Sequence, residues 1–127
     1  MEVKQQKFNE KKIEQDQAIN LFSSIDEHIE NTQSFKQPKY SLRDLSDQLG
    51  LSEQTVSWAI NQGGELSFSD YINGKRLDAF LAAMRVNQTD FNILQNAYNV
   101  GFGSKSSFNM VFKRHTGKTP TQYLKAL

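Results

Sequence analysis

Two sets of side chains in this chain have the types and spacing to read the edge of a base pair. Gln54, Ser57, Trp58 and Asn61 recur at steps of three, four and seven, so a helix would carry them on one face. Ser106, Asn109, Met110 and Lys113 repeat that spacing 52 positions later. Amide and hydroxyl groups so placed can donate to and accept from base edges, and Asn109 has the paired groups that match adenine N6 and N7. Lys105, Lys113 and Arg114 can neutralise phosphates. The chemistry expected of these groups is recognition without bond making.

Charge is distributed in a way that the formal net value of +1 conceals. Residues 1–40 carry six lysines against seven acids, net −1, and residues 41–90 carry four basic residues against seven acids, net −3. Residues 91–127 carry Lys105, Lys113, Arg114, Lys118 and Lys125 with no acid, net +5. An isolated lysine is ordinarily a solvated surface group, but five cations without a counter-charge form a basic field suited to a polyanion.

Other chemistries find no support. The chain has no cysteine, which removes thiolate metal sites, disulfides and cysteine nucleophiles together. His28 and His115 lie 87 positions apart with no nucleophile or metal-ligand spacing around either, so a surface His28 and a packed or capping His115 are expected. No catalytic residue, cofactor or metal site is expected. No apolar run approaches the roughly 20 residues of a membrane span, and the polar start lacks a secretory core. A cytoplasmic protein without membrane contact by this segment is expected.

Helices must position the recognition groups, because nothing alternates like a strand and Gly and Pro fall at boundaries: Pro38, Gly63-Gly64, Gly117 and Pro120. Ala18, Phe22, Ile25 and Ile29 form the apolar stripe of a helix from about Ile13 to Asn31, expected to pack on the domain. Ser41 and Asp44 make a capping box for a helix with Leu42, Leu45 and Leu49 inward, which Gly50 ends in the left-handed conformation. Ser52 caps the next helix, with Val56, Ala59 and Ile60 inward and the first recognition set outward. Phe68 to about Val86 reads as one helix of 19 residues, about 28 Å long, a spacer of the order of the ~34 Å between successive major-groove faces.

A single helix, Gly turn and helix is a weak signal, but this one repeats. Ile93, Ala97, Val100, Gly101 and Phe102 reproduce Leu42, Ser46, Leu49, Gly50 and Leu51 at an offset of 51. Gly103 moves the offset to 52, and Ser104, Phe108, Val111 and Phe112 then reproduce Ser52, Val56, Ala59 and Ile60. Ser67 and Asp70 match Thr119 and Gln122 as capping boxes, and Tyr71 matches Tyr123. Phe102, Phe108, Phe112 and Tyr123 sit at inward spacing and are expected in the core rather than as stacking platforms. The fold predicted is all-α, with two helix-turn-helix units joined by a long connecting helix. Residues 1–40 are read as an N-terminal helix and linker, and 41–127 as the bipartite domain.

The run Ala97-x-x-x-Gly101-Phe102-x-Ser104-x-Ser106-x-Phe108-x-x-x-Phe112-Lys113-x-x-x-Gly117-x-Thr119-Pro120-x-x-Tyr123, with Asn73-x-x-Arg76-Leu77 before it, resembles the DNA-binding domain of the AraC/XylS family of bacterial transcription regulators. The likeness covers about residues 41–125. It implies about seven helices, with Ser52–Asn61 and Ser104–Lys113 as recognition helices in successive major grooves. It also implies activation or repression beside RNA polymerase, and a separate effector or sensor domain that this stretch does not contain. Asn96 and Leu124 depart from the family pattern, Leu124 standing where a basic residue is usual. The alternative from another class is a helical protein-interaction module using the early helix.

Overall fold

A computed structural model describes the backbone of residues 2–127 and the side chains of residues 9–127, so the expected 1–40 segment begins just outside the described residues. Seven α-helices and no strand occur among them: α1 (Glu2–Thr32), α2 (Leu42–Leu49), α3 (Glu53–Trp58), α4 (Phe68–Val86), α5 (Ile93–Asn99), α6 (Lys105–Thr116) and α7 (Pro120–Lys125). The chain divides into two compact units, one of Met1–Gln33 with Ser41–Tyr71, the other of Ser34–Tyr40 with Ile72–Leu127.

In the first unit the predicted stripe is the core, since Ala18, Ile25 and Ile29 are fully buried together with Leu45, Val56, Ala59 and Ile60. The capping box of α2 forms in both directions: Asp44 N–H donates to Ser41 Oγ at 3.1 Å and Ser41 N–H to Asp44 Oδ2 at 3.0 Å. Gly50 ends α2 at φ 67°, ψ 29°, in the left-handed region. Ser52 Oγ accepts from Thr55 N–H at 3.1 Å to start α3. Tyr71 is buried, edge-on to Phe22 at 5.2 Å, its hydroxyl donating to Asp26 at 2.6 Å.

Two boundaries differ from expectation. α1 begins at Glu2 rather than near Ile13; its early turns lack an apolar stripe, so periodicity could not reveal them. The expected first recognition helix, Ser52–Asn61, is α-helical only to Trp58 and continues as a π turn, Ala59–Gly63. Gly63 and Gly64 therefore close a turn against which α1 packs, rather than simply parting two helices. A Cβ at Gly63 would overlap the Ala18 carbonyl and come within 2.9 Å of Phe22 Cβ, so only glycine lets α1 approach this closely.

The second unit is an aromatic core. Phe80, Phe102, Phe108 and Phe112 are each no more than 1% exposed. Phe108 lies 4.8 Å from Phe80 and 5.2 Å from Phe102, and Phe112 lies 5.5 Å from Tyr123. Such ring pairs contribute about 0.5–1.5 kcal/mol each beyond area burial. Tyr123 is half-buried, as is Leu124, which packs on this core and so accounts for an apolar residue at that place. α7 starts with the predicted capping box between Thr119 and Gln122. Asn96, which departs from the family pattern, donates from its side chain to the Asn92 carbonyl at 2.8 Å.

Ser34–Tyr40 is bound into the second unit by Arg76. This guanidinium is buried, 8% exposed, and donates from Nε to the Phe35 carbonyl at 2.7 Å and from Nη2 to the Gln37 carbonyl at 2.9 Å. Burial pulls its pKa below the ordinary arginine value. Gly101, at φ 112°, passes directly over the pair.

Candidate nucleic-acid interface

Each of the two helices expected to act in recognition is oriented by what it buries. In α6 the steps Phe108, Val111 and Phe112 face the aromatic core. The complementary residues Lys105, Ser106, Asn109, Met110, Lys113 and Arg114 are consequently all exposed. Ser104 caps the helix, its Oγ accepting from Ser107 N–H at 3.1 Å, and Gly117 ends it at φ 76°. Lys113, Arg114 and His115 lie in the last turn, where the helix dipole favours cations. His115 is exposed there, neither packed in the core nor remote from the helix end. Lys105 stands at the first helical position, where the dipole opposes it by about 0.3–1 kcal/mol.

Lys105, Asn109 and Lys113, spaced by four, share one edge of a depression of about 750 Å³. Ile93 and Leu94 of α5, Phe108 of α6 and the start of α7, Thr119 to Thr121, complete its walls. The sequence reading had Thr119 as a helix cap and Pro120 as a boundary residue, but it placed neither them nor Leu94 and Thr121 in the site, because these walls come together only when α5 and α7 pack beside α6. It also missed Asn92, whose Oδ1 accepts from Gln95 N–H at 2.9 Å and caps α5. Here a signal was present: at the repeat offset Asn92 stands opposite Ser41.

The outer side of α3 and the turn after it is less open. Gln54 and Asn61 are exposed, while Ser57 and Trp58 are half-buried. Asn61 Nδ2 donates to Ser57 Oγ at 3.3 Å. Trp58 lines a cleft of about 450 Å³ with Gln62 and with Lys11, Glu14 and Gln15 of α1, and Gln15 is tied there by donating to the Gln62 carbonyl. Trp58, expected on the outward face from helical phase, is thus partly covered, because α1 lies alongside the end of α3. His28 is likewise half-buried, hydrogen-bonded to Gln48 at 2.8 Å.

The arrangement is a bipartite helix-turn-helix, each unit presenting a capped helix with a buried triplet behind and polar side chains in front. The pattern described as a helix-turn-helix domain matches residues 45–126, and the chain belongs to the AraC-type helix-turn-helix family of DNA-binding transcription regulators. It is 29% identical over 116 residues to the probable transcriptional regulator LumQ of Photobacterium leiognathi, covering 91% of this chain and 43% of that protein. It is 34% identical over 83 residues to an HTH-type transcriptional regulator of Staphylococcus aureus, covering 65% of this chain and 11% of that protein. The chain therefore spans less than half the length of these relatives.

Among solved structures it is similar to the C-terminal domain of the two-component response regulator yesN of Fusobacterium nucleatum, with 28% identity and a TM-score of 0.69, over 83% of this chain and 98% of that one. It is also similar to the C-terminal domain of AraT, a response regulator of Geobacillus stearothermophilus, with 26% identity and a TM-score of 0.65, over 75% and 77%. No helix among the described residues is long and apolar enough to cross a membrane.

Proposed function

We propose that the chain binds double-stranded DNA sequence-specifically, each recognition helix entering a major groove, and that it thereby regulates transcription in contact with RNA polymerase. In this reading Gln54, Ser57, Trp58 and Asn61 serve the first groove. Ser106, Asn109 and Met110 face base edges in the second, while Lys105, Lys113 and Arg114 meet phosphates. Residues 41–127 form the binding domain, with 1–40 as its leading helix and linker.

The observation that carries the reading is the composition of the outer face of α6. Every residue there is exposed, three are cations, and no acid occurs from residue 91 to 127. Lys105 adds to this, because a cation at a helix start has no reason in helix stability to be there and an external polyanion supplies one.

Electrophoretic mobility with random duplexes and with duplexes selected from a random pool, at two salt concentrations, tests the proposal. Enrichment of a shared sequence, tighter binding to it and a steep loss of affinity with salt are expected. Failure to enrich any sequence, with weak binding insensitive to salt, would favour a protein-interaction module instead.

A further inference from the structure

Both recognition helices carry an apolar residue at the same outward step, Trp58 in one and Met110 in the other, 52 positions apart. Trp58 is partly covered by α1. Met110 is not covered: it is 63% exposed in the middle of α6, with exposed Ser106, Asn109, Lys113 and Arg114 as its neighbours along the helix. A flexible thioether held in water among polar groups contributes nothing to the core behind it, which Phe108, Val111 and Phe112 fill.

The major groove displays one apolar group, the C5-methyl of thymine. A side chain beside Asn109, extending from the same face, would meet that methyl where Asn109 meets a neighbouring base edge. We propose that Met110 is a specificity-determining residue that reads a thymine methyl in the site bound by the second unit. The inference rests on the DNA-binding reading above. An unbranched thioether adapts its shape to a methyl without a hydrogen bond to align, so the contact discriminates thymine from cytosine and from uracil by burial alone.

The test replaces each thymine of a selected duplex in turn by deoxyuridine, which lacks only the methyl, and measures affinity for the parent protein and for Met110→Ala, Met110→Gln and Met110→Leu. One thymine is expected to respond, with about a fourfold weakening in the parent, the worth of one buried methyl. The response should vanish in Met110→Ala and Met110→Gln and persist in Met110→Leu. Thermal melting of the variants should match the parent because the side chain is exposed.

If selected duplexes bind but no thymine responds, or the response is unchanged in Met110→Ala, the inference is overturned while the DNA-binding reading stands. If no duplex is enriched over random sequence, the reading itself fails and the inference falls with it.

Discussion

Gly101 lies against Arg76 so closely that a Cβ on the glycine would come within 2.7 Å of the guanidinium Nε and would overlap the Phe35 carbonyl to which that nitrogen donates. The glycine also holds φ at 112°, a value that L side chains rarely adopt. Gly101→Ala should therefore cost about 2–4 kcal/mol through backbone strain and displacement of the Arg76 bond. Arg76→Lys should cost a similar amount, because an ammonium lacks the planar fork that reaches two carbonyls and leaves one of them unpaired. Chemical denaturation of the two variants checks this; a loss under 0.5 kcal/mol in either would show that the clasp is not needed.

Lys113→Ala should weaken binding to all duplexes alike and lower the slope of log affinity against log salt by about one, the share of a single phosphate contact. Because the basic charge lies in residues 91–127, alanine variants there should reduce the slope more than variants on α3. Affinity titrations from low to high salt measure both, and an unchanged slope would remove Lys113 from the phosphate contacts.

Asn109→Ala should cost about 1–3 kcal/mol on the preferred site and relax preference at one position. Repeating the site selection with the variant checks it. A loss spread evenly over all sequences would make Asn109 a backbone contact.

Trp58 is the only tryptophan, so its fluorescence reports on the end of α3 alone. Addition of a cognate duplex should shift or quench the emission as the exposed part of the indole is desolvated. Trp58→Ala should weaken binding and cost about 1–2 kcal/mol of stability, less than a fully buried tryptophan because the cleft covers it only in part. A silent titration together with a loss above 3 kcal/mol would assign Trp58 to packing against α1 and not to DNA.

The fold was legible wherever local chemistry repeats. Ser41 with Asp44, Ser52, Gly50 and the inward triplets Val56-Ala59-Ile60 and Phe108-Val111-Phe112 are all encoded within a few residues, and the offset between the units made each a check on the other. The exposed set on α6 followed from that phase. Features made by distant partners were not legible. The π turn after Trp58 packs against α1 at Gly63, and the covering of Trp58 comes from polar residues of α1, Lys11, Glu14 and Gln15, that carry no periodic signal. The hold of Arg76 on Phe35 and Gln37 joins residues about 40 positions apart, and nothing near either end announces it.

Because Ser34–Tyr40 belongs with residues 72–127 while the helices on both sides of it belong with the other unit, the units are interleaved along the polypeptide. A ribosome releases the Phe35 and Gln37 carbonyls well before the guanidinium that occupies them. A cut after Tyr71 keeps the first unit whole but strips Ser34–Tyr40 from the second, so no single cut yields two whole halves. A fragment beginning at Ile72 would leave Arg76 without its two carbonyl acceptors, so the second helix-turn-helix can be inherited or transplanted intact only together with the segment that precedes α2.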